Sequence, residues 1–290
     1  MTPAPHVLRE YALLADGERG AVVGPRGEIA WLCAPRWDSG SVFSSLIGGD
    51  GHYTLVPEGR YVWGGEYEDG TLIWRSRWTT ESGIVESREA LAYPGDTHRL
   101  VLLRRVIALD GPASLLVTLW PRGDYDSTRM TEVRQHRGVW TARLGQLWLR
   151  WTAGPGARRF RAGAELQQRL TLAEGETRDL VLEISDCELP DDAPSADELW
   201  KGTDGAWERA IPECEDVLAR SDVRHSVAVL RGMTSSGGGM VAAATTSLPE
   251  RVEAGRNYDY RYVGSAISAT PGRLRRPRAS TICSTRRSAS

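Results

Sequence analysis

Lysine is nearly absent from this chain of 290 residues: Lys201 is the single one in a combined Lys and Arg count of 36. Arginine therefore carries almost all of the positive charge, which reads as the codon preference of a GC-rich genome rather than as a separate need for a guanidinium at every position. Asp and Glu, 38 together, leave a net charge of −2, so no global excess draws the chain to nucleic acid or to an acidic membrane. Phenylalanine is as scarce, with two residues against 11 tryptophans. The four cysteines, Cys33, Cys187, Cys214 and Cys283, are too far apart to signal zinc or a disulfide framework. The five histidines, His6, His52, His98, His136 and His225, show no ligand spacing, and no metal or other cofactor is expected. No long apolar run is present, and the first residues lack a cationic stretch followed by an apolar core, so no membrane contact and a cytoplasmic location are expected. Ser235 to Gly239 is glycine-rich without the lysine of a phosphate loop, and reads as a turn.

What is present is mostly strand. Ala21 to Val23 and Ile29 to Cys33 flank a Gly24-Pro25-Arg26-Gly27 turn, a hairpin signal. Alternation over Thr71 to Thr79 leads through Glu81-Ser82-Gly83 into Ile84 to Leu91. Leu100 to Leu109 and Leu115 to Trp120 are almost continuously apolar, which predicts strands covered on both faces. Hairpins follow at Glu132 to Ala142 with Gln146 to Thr152, and at Glu165 to Leu172 with Arg178 to Ile184. The fold class expected is mainly β, a large antiparallel β-sandwich over residues 1–188. An acidic, proline-bearing linker is expected over 189–203, because Cys187 to Glu198 reads CELPDDAPSADE. Helical spacing then appears in Leu199 to Ala210 and Glu213 to Met233.

Two blocks carry a resemblance. One is EYALLADGERGAVVGPRGEIAWLCAPRWDSGSVFSSLIG, from Glu10 to Gly48; the other is GGMVAAATTSLPERVEAGRNYDYRYV, from Gly238 to Val263. Both resemble the bacterial glycoside hydrolase family 15 enzymes, the glucoamylase- and trehalase-like group, the second block matching the start of that family's helical barrel. The resemblance implies that 204–263 opens an incomplete (α/α)6 barrel behind the sandwich. It also implies an α-glucoside carbohydrate as partner and an inverting mechanism, in which one carboxylic acid protonates the leaving oxygen and a second carboxylate activates water. Asp259 and Tyr260 match the family's acid and sugar-stacking aromatic, so they are the candidate substrate-binding residues. The family's two catalytic glutamates lie further downstream in the barrel, so no catalytic residue is assigned in this chain and inactivity is expected.

In the family the aromatic-acid cluster continues into Trp-x-Arg-Asp, whereas here Gly264-Ser265-Ala266-Ile267 follows. Codons read one base earlier permit Trp-Ile-Arg-Asp at those positions, and 264–290 is therefore expected to be a frameshifted, disordered tail. Its Arg and Ser content without aromatics or acids favours disorder over nucleic-acid binding. Two helices alone would leave an apolar face uncovered, so 199–263 is expected to be poorly packed, or to lean on the sandwich or on a second copy by self-association. Glu250 is the other barrel-opening acid considered, and a capping role outranks catalysis there. Arg36, Trp37 and Asp38 read either as a sugar contact or as an ion pair buried under a tryptophan. The rival to the hydrolase fragment is a stand-alone carbohydrate-binding or interaction sandwich.

Overall fold

The computed structural model describes residues 6–160, 165–215, 217–246 and 258–263. Its strands are β1 (Ala12–Ala15), β2 (Gly20–Val23), β3 (Ile29–Cys33), β4 (Ser41–Phe43), β5 (His52–Pro57), β6 (Tyr61–Tyr67), β7 (Trp74–Thr80) and β8 (Ile84–Leu91). Then come β9 (Arg99–Asp110), β10 (Ala113–Trp120), β11 (Arg122–Gly123), β12 (Thr128–His136), β13 (Val139–Leu144), β14 (Leu147–Thr152), β15 (Arg158–Phe160), β16 (Glu165–Leu172) and β17 (Thr177–Ser185). Two helices follow, α1 (Ala196–Ala210) and α2 (Arg220–Gly232). One antiparallel sheet runs β1-β2-β3-β5-β10-β16-β15, with β4 on β3, and the other runs β11-β12-β13-β14-β17-β9-β8-β7-β6. The mainly β sandwich read from the pattern is the fold observed.

Residue alternation explains the layers. On β9, Leu100 and Leu102 join the core between the sheets, whereas Val101 and Leu103 face a second apolar layer under the helices. β17 repeats this, with Leu180, Leu182 and Ile184 inward and Val181 outward. A strand buried on both faces loses its polar alternation, which accounts for the apolar run of β9, broken only by Arg104 and Arg105. β10 departs from the expectation: Leu116 is exposed, so one face of that strand meets water.

Residues 196–203, expected in the linker, are helical. Ser195 accepts a hydrogen bond from Glu198 N at 3.4 Å, the arrangement of an N-cap, and Asp197 and Glu198 place negative charge in the first turn. Trp200, Thr203, Ala206 and Trp207 are buried on one face of α1. Trp207 stacks on Tyr93 with centroids 3.9 Å apart and planes 12° apart, and Trp200 Nε1 donates to Asp179 of β17 at 3.2 Å. Gly232 ends α2 where no side chain fits: a Cβ there would lie 2.4 Å from Leu72 Cδ1. α1 therefore rests on the outer face of the nine-stranded sheet, while α2 packs beside β1 of the other sheet and the β6–β7 turn.

The β1–β2 turn joins these layers. Asp16 and Arg19 are buried and paired at 3.1 Å. Gly17 N donates to Gly232 O at 2.8 Å, Gly17 O accepts from Trp37 Nε1 at 2.9 Å, and Glu18 accepts from Ser236 N at 2.7 Å. Cys33 and Cys187 are free, whereas Cys214 is disulfide-bonded, which the wide spacing of the cysteines does not signal.

Inside the sandwich, Arg104 of β9 meets Glu89 of β8 at 3.2 Å with both side chains fully buried. Arg104 also donates to Gly27 O at 2.7 Å and lies 4.2 Å from the centroid of the Tyr53 ring. Burial outweighs the attraction of Arg104, and the Glu89 carboxyl is pushed up from 4.5 to about 7. The folded chain thus holds a proton that the unfolded chain releases. The stability contributed by Glu89 is full below about pH 4.5 and is lost as pH rises through about 7. Urea unfolding should show this slope between those limits, and Glu89→Gln should flatten it. Arg104→Met, which strands an acid in the core, should cost about 3–5 kcal/mol above pH 7 by the same measurement.

Candidate functional site

The segment 258–263 alternates like a strand, and this decides which groups face water. Isolated bridges pair Asp259 with Thr246 and Val263 with Val241, and Ala242 N and Ala243 N each donate to Tyr260 O at 3.0 Å. Tyr258, Tyr260 and Tyr262 are exposed, at 55%, 44% and 54%. Arg261 points the other way and is buried.

Arg261 is the anchor. Its Nη2 meets Asp259 Oδ2 at 2.6 Å, while Nε reaches Oδ1 at 2.9 Å and Oδ2 at 3.1 Å. The backbone N of Arg261 closes the turn onto Oδ1 at 3.0 Å. From the far side of the guanidinium, Nη1 donates to Ser39 O at 2.9 Å, to Trp37 O at 3.3 Å and to Cys33 Sγ at 3.1 Å. The plane thus ties the C-terminal segment to β3 and the loop after it. These charge-assisted bonds hold the Asp259 carboxyl below its usual range and raise the Arg261 guanidinium above its own. Burial pushes the Cys33 thiol up to about 11, against the pull of Arg261, so it stays protonated and unreactive.

Around this anchor the sandwich supplies more aromatic surface. Trp31 is fully buried, donates from Nε1 to Ala244 O at 2.9 Å, and has Arg261 at 5.9 Å from its ring centroid. Tyr125, partly exposed, lies 6.4 Å from Trp31. It sits in a strained run in which Asp124, Tyr125 and Asp126 have φ of 49°, 53° and 71°. Such backbone persists only where it is over-determined. Here Asp126 accepts from Asp50 N at 2.6 Å, Gly51 N at 3.1 Å and Ser44 Oγ at 3.2 Å, while Tyr125 N donates to Ser41 Oγ at 3.1 Å.

The residues singled out in the sequence thus divide. Asp259 and Tyr260 lie side by side on one short segment but play opposite parts: Asp259 is engaged by Arg261 through both oxygens, and Tyr260 presents its ring to solvent. Asp259 is consequently no proton donor. Trp37 is buried, its ring packed so close to Gly20 that a Cβ there would lie 2.7 Å away, while Arg36 and Asp38 pair at 3.7 Å on the surface. The tryptophan, not the ion pair, is the buried member of that triplet, which corrects the reading of it as a buried ion pair. Glu250 lies outside the described residues. A groove of about 220 Å³ elsewhere, over Gly64 and Gly65, holds Glu66 and Glu86. Arg75 and Arg77 neutralise both acids, Arg77 meeting Glu86 at 2.6 Å and Arg75 meeting Glu66 at 3.6 Å. Among the described residues no helix is long and apolar enough to cross a membrane.

Residues 3–143 match the family model described as trehalase-like, N-terminal. A trehalase from Mycolicibacterium smegmatis is 31% identical over 288 residues, which takes in 88% of this chain and 42% of the relative. A trehalase from Mycobacterium tuberculosis is 30% identical over 292 residues, with the same coverage, 88% and 42%. The chain therefore spans about two fifths of the length of these relatives. A solved structure provisionally named kojibiose phosphorylase, from human microbiome, aligns with a TM-score of 0.43 and 9% identity over 76% of this chain and 39% of that one, too loosely to bear on function. The comparisons bear out the resemblance at the level of trehalase-like proteins, and since 88% coverage runs well past residue 143 it is not confined to the matched domain.

Replacing the anchor should release the tyrosine segment. Hydrogen bonds to a charged group are worth about 1.5–3 kcal/mol, so Arg261→Met should raise proteolytic cleavage within 241–263 roughly tenfold or more. Far-UV circular dichroism of the sandwich should not change, and cleavage at the native rate would refute the anchoring role.

Proposed function

We propose that this chain is the sandwich and opening helical segment of a trehalase-like α-glucosidase, and that on its own it holds sugar without cleaving it. The observation that carries the reading is the 31% identity to a trehalase across 88% of the chain. The exposed tyrosines support it chemically. An aromatic face flanked by groups that bond hydroxyls suits a pyranose ring, and Tyr260 offers that face at a fixed height because Asp259 and Arg261 on either side pin the backbone.

Inverting hydrolysis needs two carboxyl groups about 6.5–9.5 Å apart across the sugar, one of them protonated near neutral pH. Asp259 does not suit either role. Arg261 occupies both of its oxygens and lowers its pKa, so it neither carries a proton nor has a lone pair free for water. Its part in our reading is to hold Arg261, and through it the tyrosines. The relatives are named as trehalases, which favours trehalose among the α-glucosides. The abrupt change of character at Gly264, together with the shifted-frame Trp-Ile-Arg-Asp, supports a displaced reading frame beyond Val263, which sequencing of the source DNA tests.

Titration of the intact chain with trehalose and with maltose, followed by tryptophan fluorescence and calorimetry, should show saturable binding without glucose release. Tyr260→Ala should weaken that binding about fivefold, the value of one stacking contact of roughly 1 kcal/mol. Glucose release by the chain would overturn the proposal of inactivity, and absence of binding would overturn the sugar platform.

A further inference from the structure

At the Arg99–Ser185 end of the β9–β17 pair, three side chains with metal-binding atoms converge. The ladder of these strands ends at Arg99 opposite Ser185. One step beyond, Asp186 N donates to His98 O at 3.2 Å, so these two residues face each other although 88 positions apart. His98 Nδ1 lies 3.0 Å from Asp186 Oδ1, and Cys187 Sγ lies 3.4 Å from the same oxygen. One nitrogen, one carboxylate oxygen and one sulfur thus fall within 4.8 Å of one another.

The backbone holds the cluster in place. Cys187 N donates to Ser185 Oγ at 3.0 Å, a turn at the end of β17 that sets Cys187 beside Asp186, which meets His98. On the other strand, Asp96 Oδ1 accepts from His98 N at 2.8 Å and Arg99 N at 3.1 Å. The Arg99 guanidinium is drawn off to Glu183 by a hydrogen bond and leaves its neighbour His98 uncrowded.

Ligand atoms on a tetrahedral zinc ion, with bonds of about 2.0–2.3 Å, stand about 3.3–3.7 Å from one another. The two edges through Asp186 Oδ1, 3.0 and 3.4 Å, come within a few tenths of an ångström of that tetrahedron edge, and the third, within 4.8 Å, closes by a turn of the exposed His98 and Cys187 side chains. We propose that His98, Asp186 and Cys187 form a zinc(II) site, with the fourth position open to water. The donor set selects the ion: imidazole and thiolate favour zinc over magnesium or calcium, which take all-oxygen shells. On binding, the Sγ–H proton leaves to solvent, the thiolate and the carboxylate each bond the ion, and neutral His98 gives its Nδ1 lone pair with the ring proton on Nε2. The ion would clip the start of β9 to the end of β17, at the root of the segment that leads to α1.

Cobalt(II) reports such a site directly. In buffer without thiol reductant, the full-length chain should take up one equivalent, with a thiolate-to-cobalt charge-transfer band in the near ultraviolet and tetrahedral bands in the visible. Zinc, the stronger binder of the two, should bleach both. Cys187→Ser should abolish the charge-transfer band, and His98→Ala should weaken cobalt binding about tenfold or more. All three side chains are exposed, so both variants should keep the native circular dichroism. Absence of the band, its survival in Cys187→Ser, native affinity in His98→Ala or failure of zinc to bleach it would each overturn the assignment.

Discussion

The double burial of the β9–β17 pair sets the terms for the rest of the molecule. Its inward residues, Leu100, Leu102, Leu180, Leu182 and Ile184, close the sandwich. Its outward residues, Val101, Leu103 and Val181, would expose an apolar stripe if left bare. Covering that stripe requires α1 and α2, and each buried aliphatic side chain is worth about 1.5–3 kcal/mol. The helices are therefore part of the same packed body as the sheets. Trp200 and Trp207, seven positions apart on one face of α1, supply most of the bulk of that second layer, together with Ile211 and Ala228.

Polar groups then determine how the elements meet. The core holds the Arg104–Glu89 pair against Tyr53, both side chains fully buried. Asp16 and Arg19 brace the β1–β2 turn, which receives the end of α2 through Gly17 and the loop after it through Glu18. Arg261 draws the last described segment onto β3 through Cys33 and onto the following loop through Trp37 and Ser39. Each is a guanidinium or carboxylate that satisfies several buried partners at once. The chain's near-exclusive use of arginine suits this, because a planar fork can bond in two or three directions where an ammonium is a point charge.

For function, the Arg261 anchor turns an alternating sequence into a surface. Asp-Tyr-Arg-Tyr places charge inward and rings outward, and the charged pair fixes the height at which the rings stand. The same pairing explains why Asp259, an acid between exposed tyrosines, is not a proton donor. The trehalases from the two mycobacteria extend well beyond this chain's length.

The chain itself fixed much of this outcome. Periodicity and turn chemistry located Ile84–Leu91 and Glu165–Leu172 to the residue, and the apolar run of β9 revealed burial on both sides, because local alternation reports how many faces are covered. β6 escaped notice because Gly64 and Gly65 interrupt its pattern, and the Ser195 cap was overlooked inside an acidic stretch that resembled a linker. In the site, Asp259 and Tyr260 could be named from the sequence, but their opposite roles could not. Nor could the convergence of His98 with Asp186 and Cys187, since spacing along the chain is silent about ligands brought together by strand register. What a residue is and which way its neighbours alternate is local information carried by the sequence. Which distant group neutralises a carboxylate or completes a cluster is decided only when the strands pair and the helices close over them.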